Sequence, residues 1–325
     1  MSEQAAPCKI CSNSSNNSLL KVKEMYFGTR QEFEYLECSK CGTLQIINLP
    51  ADYSVHYPKE YFTYNQKHEN KIKAIFNKYR DQSAFGIRSV PGDLLLRKFG
   101  EPVYVTRLKN AEAGLSSRIL DVGCGKGILL HKMRESGFIY SEGVDPFIDD
   151  TIKYRNGLTI HKKNIYNVTG KYDLVMFNHS FEHMDSPSGV FKKSNQLLDI
   201  NKILLIRIPV ADSFAFRNYR ENWCSLDAPR HLFLHTKQSI NILAQNNGFE
   251  VYKICYDSRS WQFWGSEQYS KNISLLDDRS YFKNPGNSIF SKKEIENFEE
   301  RTIELNSKGE GDQAEFYLRK IIDLH

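Results

Sequence analysis

The sequence predicts an α/β protein, an open and mostly parallel sheet preceded by a small cysteine-bound ribbon. Three observations carry that expectation. From Ser116 onward, short apolar runs alternate with stretches of helical period, as strands and helices do when they take turns. The first of those runs ends in a glycine turn, Gly123-Cys124-Gly125-Lys126-Gly127. Four of the seven cysteines stand in the first 41 residues, as two C-x2-C pairs.

The ribbon comes first in the chain. Cys8-Lys-Ile-Cys11 and Cys38-Ser-Lys-Cys41 are separated by 26 residues. Two short turns with two thiolates each can offer four sulfurs about 2.3 Å from one tetrahedral zinc. Ser12-Asn13 and Gly42-Thr43 come directly after the pairs and are turn-prone. Two disulfides would need an oxidising compartment, and a redox C-x-x-C would come singly beside a βαβ unit. Cys8, Cys11, Cys38 and Cys41 therefore read as a structural zinc site in a module of residues 1–50. Strands are expected at residues 18–23, 33–37 and 43–48.

Residues 51–115 change in texture. Tyr53, His56, Tyr57, Tyr61, Phe62 and Tyr64 crowd one stretch. Residues 66–80 then read as a helix with Ile72, Ile75, Phe76 and Tyr79 on one face. Gly86, Pro91-Gly92, Gly100 and Pro102 interrupt residues 81–115, so the whole segment reads as a helical linker or lid.

The main domain is expected over residues 116–325. Strands are predicted at 118–122, 139–144, 159–161, 171–178, 203–208, 249–257 and, late in the chain, 313–321. Helices are predicted at 128–136, 190–198 and 239–247, the last stopped by Gly248.

Composition narrows the function. Apolar residues make up 40% and charged residues 26%, an ordinary globular balance. No run approaches the roughly 18 apolar residues a membrane span requires, and the first residues lack a signal peptide's basic start and apolar middle. A cytoplasmic enzyme is expected. The net charge of +5 is small and its excess sits in residues 51–115, with eleven basic and seven acidic groups, while residues 1–50 carry five of each. No dense basic stripe suggests a grip on a phosphate backbone, which disfavours nucleic acid as a partner.

The glycine turn carries the chemistry. It follows a strand and opens a helix, so a ligand can approach the backbone closely. The spacing is G-x-G-x-G with Asp121 two residues before the first glycine, which fits neither a dinucleotide fingerprint nor a P-loop. Asp145 closes the next strand, where a carboxylate can accept both hydroxyls of a ribose.

Asp121-Val122-Gly123-Cys124-Gly125-Lys126-Gly127, Gly143-Val144-Asp145 and the run from Tyr172 to His183 resemble the class I S-adenosylmethionine-dependent methyltransferases. The paired C-x2-C motifs, Trp223-Cys224-Ser225-Leu226-Asp227-Ala228-Pro229-Arg230-His231-Leu232 and Gly311-Asp312-Gln313-Ala314 resemble a bacterial subgroup with an N-terminal zinc ribbon, common in sugar and surface-polysaccharide pathways. The resemblance implies a Rossmann-like, seven-stranded sheet in the order 3-2-1-4-5-7-6, with strand 7 antiparallel. It implies S-adenosylmethionine as cofactor, with Asp121, Gly123, Cys124, Gly125 and Gly127 facing its methionine part and Asp145 its ribose. Asn164 stands where the family usually has an acid near the adenine, and Asn178 and His179 would line the cofactor.

In-line methyl transfer to a hydroxyl needs a proton acceptor, and histidine suits that role near neutrality. His179, His183 and His231 are candidates, with Glu182 and Asp227 as orienting carboxylates. His231 leads. Residues 211–232 follow strand five and can fold over the acceptor as an aromatic wall of Phe214, Phe216, Tyr219 and Trp223. Arg230 is expected to meet an anionic substrate group or to form a surface ion pair. His179-Ser180-Phe181-Glu182-His183 has the H-x-x-E-H form of a zinc protease, but it leaves a strand, not a long helix. A divalent ion held by His179, Glu182, His183 and His231 is a further reading. The expected acceptor is a small sugar, nucleotide- or carrier-linked. The alternatives are an RNA methyltransferase gripping RNA by its ribbon, and an interaction module on a catalytically dead fold.

Overall fold

A computed structural model of the chain describes residues 6–49, His56 and residues 71–324. In the ribbon, β1 (Ser18–Lys23), β2 (Glu32–Glu37) and β3 (Leu44–Ile46) pair antiparallel in chain order. Of the expected aromatic stretch only His56 is described, and it is buried; Tyr53, Tyr57, Tyr61, Phe62 and Tyr64 lie outside the described residues.

Three helices come next, α1 (Lys71–Ala84), α2 (Val90–Phe99) and α3 (Val103–Asn110). Residues 66–70 of the expected first helix lie outside the described residues, and its far end runs on to Ala84. Its apolar stripe does not face a core among the described residues: Ile72, Ile75 and Phe76 are each more than half exposed. The helix instead anchors through polar groups near its end. The Tyr104 hydroxyl donates to buried Asp81 at 2.8 Å and lies 2.8 Å from Ser136 Oγ. Ser89 caps α2 by accepting from the Gly92 amide, and α3 buries Val105, Arg107 and Leu108 against the domain.

The main sheet contains β4 (Ile119–Val122), β5 (Ser141–Val144), β6 (Ile152–Lys153), β7 (Thr159–His161), β8 (Tyr172–Asn178) and β9 (Leu198–Pro209). Between them lie α4 (Ile128–Ser136) and α5 (Pro187–Leu197). After α6 (Phe214–Tyr219), β10 (Phe233–Leu234) and α7 (Lys237–Asn246) come β11 (Phe249–Tyr256), α8 (Trp261–Ser270), α9 (Lys292–Lys308) and β12 (Gln313–Lys320). The order across the sheet is β11-β12-β9-β8-β4-β5-β7-β6. β7, β5, β4, β8 and β9 run parallel, and β12 is antiparallel to both neighbours. The sheet has eight strands, not seven. The extra one, β6, is a two-residue edge antiparallel to β7, too short to leave a periodic signal.

The chain leaves β4 towards β5 on one side and later returns to β8 on the other. A ligand crevice forms at such a switch, outside the carboxyl ends of the strands. Asp121, Asp145 and Asn178 all sit at that edge of the sheet.

β10 does not join this sheet. Phe233 pairs with Gln45 and Leu234 with Leu44, so a segment from the main domain becomes the fourth strand of the ribbon. Leu36, Leu44, Phe233 and Leu234 belong to the same continuous apolar cluster as Val175 and Ile206 of the main sheet. No described helix is long and apolar enough to cross a membrane.

Candidate active site and metal centre

The glycine loop bends where the sequence permits. Gly123, Gly125 and Gly127 all have positive φ, at 72°, 56° and 72°. A Cβ on Gly123 would stand 2.5 Å from that of Ser180, and one on Gly127 would meet Ile160 at 2.4 Å. Ser180 sits that close because its hydroxyl donates to the Val122 carbonyl at 2.6 Å, tying the end of β8 to the end of β4. Cys124 fills the space beside Gly143, and burial pushes its thiol up.

Two carboxylates face the crevice. Asp145 accepts from the Gly125 amide through Oδ2 and from the Phe147 amide through Oδ1, both at 2.8 Å. Each oxygen keeps a lone pair for a ligand hydroxyl. Burial raises the Asp145 carboxyl, against the pull of those two amides. Burial also pushes Asp121 up to about 7. Asp121 Oδ1 and both polar atoms of the Asn178 side chain are buried without a hydrogen-bond partner. Such groups are costly unless something pairs with them. The amino-acid end of a cofactor would bring both a donor and an acceptor.

Asn164 caps the turn at residues 165–167, its Oδ1 accepting from the Tyr166 amide, and is exposed beyond the end of β7. His179 is exposed, with φ at 52°, and its Nδ1 is 3.4 Å from Glu182 Oε1.

Glu182, His183 and His231 come together, each offering a ligand atom within 4.8 Å of the others. Glu182 is fully buried, and apart from His179 Nδ1 at 3.4 Å neither oxygen has a donor in hydrogen-bond geometry. Burial works to raise its carboxyl, but the imidazoles of His179, His183 and His231 outweigh it and hold it at about 2. His183 Nδ1 lies 2.8 Å from the Arg230 carbonyl, and His231 Nδ1 lies 2.8 Å from that of Ser225. A carbonyl only accepts, so both rings carry a proton on Nδ1, which leaves Nε2 to face the group. His231 Nε2 is 3.9 Å from both Glu182 Oε1 and Asp227 Oδ2. Burial lowers the His183 pKa.

Two expectations for this region are corrected. Arg230 meets neither solvent nor an open pocket: it is fully buried and ion-paired to Asp227 at 2.6 Å and to Glu24 at 2.9 Å. Asp227 is spent chiefly on Arg230, whose charge brings it to about 2 against the effect of burial. Within the expected aromatic wall, Phe216 and Trp223 are buried in the core. Trp223 Nε1 and Ser225 Oγ both donate to Asp312, which joins the Trp223–Leu232 and Gly311–Ala314 segments. Glu24, Tyr35 and Asp312 were not expected near the site. Only Asp312 stood in a motif that could have suggested it.

The four ribbon cysteines form the other cluster. Cys8 Sγ is 3.6 Å from Cys41 Sγ, and Cys11 Sγ is 3.5 Å from Cys38 Sγ. Tetrahedral sulfurs at 2.3 Å from zinc stand about 3.8 Å apart. Backbone turns close each pair, the Ser12 amide donating to Cys8 O and the Gly42 amide to Cys38 O. The Ile10 amide points at Cys8 Sγ from 3.4 Å. The donor set fits zinc.

Residues 96–254 match the methyltransferase-domain family. That match covers just under half of the chain and supports an enzyme that transfers methyl groups. Among solved structures, the chain is similar to a SAM-dependent methyltransferase from Archaeoglobus fulgidus, with 20% identity over 70% of this chain and 98% of that one at a TM-score of 0.40. It is also similar to magnesium protoporphyrin IX methyltransferase from Synechocystis PCC 6803 with bound SAH (17% identity, 63% and 89% covered, TM-score 0.40). A third is the cyclopropane synthase MmaA2 from Mycobacterium tuberculosis (12% identity, 78% and 100% covered, TM-score 0.42). No curated protein sequence matches the chain.

Proposed function

We propose that this methyltransferase methylates a hydroxyl of a small, sugar-type acceptor carried on a nucleotide or lipid, in a surface-polysaccharide or related pathway. The carrying observation is the Glu182–His183–His231 group beside the cofactor loop, where a proton acceptor is of use only to an acceptor that loses a proton. S-adenosylmethionine, when bound, supplies a methyl on a sulfonium. Asp121 and Asn178 hold its amino-acid end, Asp145 its ribose, and the Gly123–Gly127 loop admits it closely. Cys124 packs behind that loop, and Asn164 is the residue assigned to the adenine.

His231 would take the acceptor proton on Nε2 as the hydroxyl oxygen receives the methyl that bound S-adenosylmethionine would supply. Glu182 stabilises the resulting imidazolium, and His183 and His179 wall the same space. Cys8, Cys11, Cys38 and Cys41 would hold a zinc ion, which would keep the ribbon folded. The charge-neutral ribbon argues against RNA as acceptor.

A second reading is favoured by one observation, the buried Glu182 carboxylate with no donor in hydrogen-bond geometry apart from His179 Nδ1. With His183 and His231 it has the composition of a divalent-ion site, and the ion would then polarise the acceptor hydroxyl. Incubation with labelled S-adenosylmethionine and a panel of nucleotide sugars, with and without a chelator and with metal analysis, tests both readings. Label on a sugar oxygen supports the function, and label on RNA alone overturns it. Turnover that survives chelation assigns His231 as base. Turnover lost on chelation and restored by a divalent ion that zinc cannot replace assigns the ion.

A further inference from the structure

The residues around His231 point to a role for the ribbon beyond folding itself. Arg230 is fully buried with its guanidinium between two carboxylates from distant parts of the chain. Its Nη2 donates to Glu24 at 2.9 Å and to Asp227 at 2.6 Å, and its Nε donates to both Asp227 oxygens at 3.0 Å. The rings of Tyr26 and Phe27 lie 5.0 and 5.3 Å from the guanidinium carbon.

Glu24 is itself fixed in place. Its two oxygens accept the backbone amides of Tyr26, Phe27, Gly28 and Thr29 at 2.9–3.0 Å. It therefore presents a rigid carboxylate from the ribbon to an arginine of the main domain.

The same segment is bound to the ribbon along its length. Tyr35 Oη donates to the His231 carbonyl at 2.8 Å. The Ile46 amide donates to the Leu232 carbonyl at 3.0 Å, and β10 continues the ladder. Thr236 Oγ1 donates at 2.6 Å to the carbonyl of Cys41, one of the four clustered cysteines. On the other side, the Leu232 amide donates to Glu182 O, and the Arg230 carbonyl faces His183 Nδ1. The backbone carrying His231 is held by the ribbon, and it in turn orients His183.

We propose that the ribbon is the positioning scaffold of the acceptor site, with Arg230 a positioning residue that ties Glu24 to His183 and His231. The catalytic use of those histidines rests on the function proposed above; the mechanical link does not. Ordering of residues 227–236 depends on the metal-bound ribbon, while the cofactor loop at residues 121–127 depends on the sheet.

Hydrogen exchange on the full chain, read by mass spectrometry, tests the link without any acceptor. Removing the metal from the ribbon with a zinc chelator is expected to speed exchange in residues 227–236 at least about tenfold. Exchange in residues 121–127 and the calorimetric affinity for S-adenosylhomocysteine should stay within about twofold. Arg230→Met is expected to give the same local loss, Arg230→Lys to recover part of it, and Glu24→Gln to give a milder version. Because both partners belong to one link, Glu24→Gln combined with Arg230→Met should be no worse than Arg230→Met alone. With a methylated acceptor in hand, Arg230→Lys should lower kcat while leaving the KM for S-adenosylmethionine unchanged.

Unchanged exchange at residues 227–236 in both the zinc-free protein and Arg230→Met overturns the proposal. So does equal loosening of residues 121–127 in the mild Glu24→Gln variant. Local loosening without turnover on any sugar would leave the link standing and remove the function proposed above.

Discussion

Asp121 gives the sharpest test of the cofactor site, because burial moves its titration into the working pH range. In the folded chain its carboxyl is pushed up to about 7, against about 3.9 in an unfolded chain. Between those values the native state keeps a proton that the unfolded state has lost. Its contribution to stability is therefore fully present below about pH 4 and is lost as pH rises through 7. Three pH units at 1.36 kcal/mol each set a ceiling on the order of 4 kcal/mol for the ligand-free protein at pH 8. Asp121→Asn removes that term and leaves an amide beside the Asn178 side chain. The variant should unfold at higher urea than the wild type at pH 8, and the two should converge near pH 4. Cofactor binding should run the other way. If the carboxylate pairs with the ammonium of the cofactor's amino-acid end, only the ionised form binds well. About a tenth is ionised at pH 6, so calorimetric affinity for S-adenosylhomocysteine should fall about tenfold from pH 8 to pH 6. In Asp121→Asn it should be weaker throughout and nearly flat. A flat wild-type profile, or an unchanged slope in the variant, would refute the assignment.

The remaining predictions concern the other groups. Asp145→Ala should weaken S-adenosylhomocysteine binding roughly 10- to 150-fold, the loss of a charged hydrogen-bond partner worth about 1.5–3 kcal/mol; calorimetry checks it, and NAD should not bind. Elemental analysis should find zinc on the four clustered cysteines, and Cys8→Ser with Cys11→Ser should abolish that binding; two disulfides in the non-reduced protein would contradict it. His231→Ala should lower turnover about 10²- to 10⁴-fold with S-adenosylhomocysteine affinity nearly unchanged. Wild-type turnover in that variant would move the proton to His183.

What the sequence revealed was whatever is local. The glycine loop was legible because its positive-φ turn needs glycine at Gly123, Gly125 and Gly127 within five residues. The cysteine pairs were legible because each knuckle closes within one turn. Asp145 was legible because a strand must end where the crevice begins. The stripe on α1 marked the helix but not its anchored face. Ile72, Ile75 and Phe76 have helical spacing, yet the anchored face carries Asp81, and period alone does not say which face a neighbour covers. Arg230 was misread for a different reason. Its partner Glu24 lies 206 residues away, and no pattern near either residue announces a buried pair. β10 escaped because two residues cannot show alternation, and its ladder belongs to strands at the other end of the chain.

The acceptor side therefore differs in kind from the cofactor side. The groups proposed for the cofactor hang on β4, β5 and β8, so neighbouring strands hold them in register through the sheet's own ladder. Glu182, His183 and His231 leave the sheet and have no such ladder. Packing alone would favour an apolar residue in place of a fully buried carboxylate with no hydrogen-bond donor apart from His179 Nδ1. The carboxylate is tolerable where imidazoles face it and hold its charge, and those imidazoles must themselves be fixed. Ser225 O fixes the ring of His231 through Nδ1, and Ser225 is held by Asp312. Arg230 O fixes the ring of His183, and Arg230 is held by Glu24 on the ribbon. Each histidine is thus oriented through its neighbour's backbone by a carboxylate elsewhere in the chain. A substitution at Asp312 should disturb His231 first and one at Glu24 should disturb His183 first, although neither carboxylate touches an imidazole.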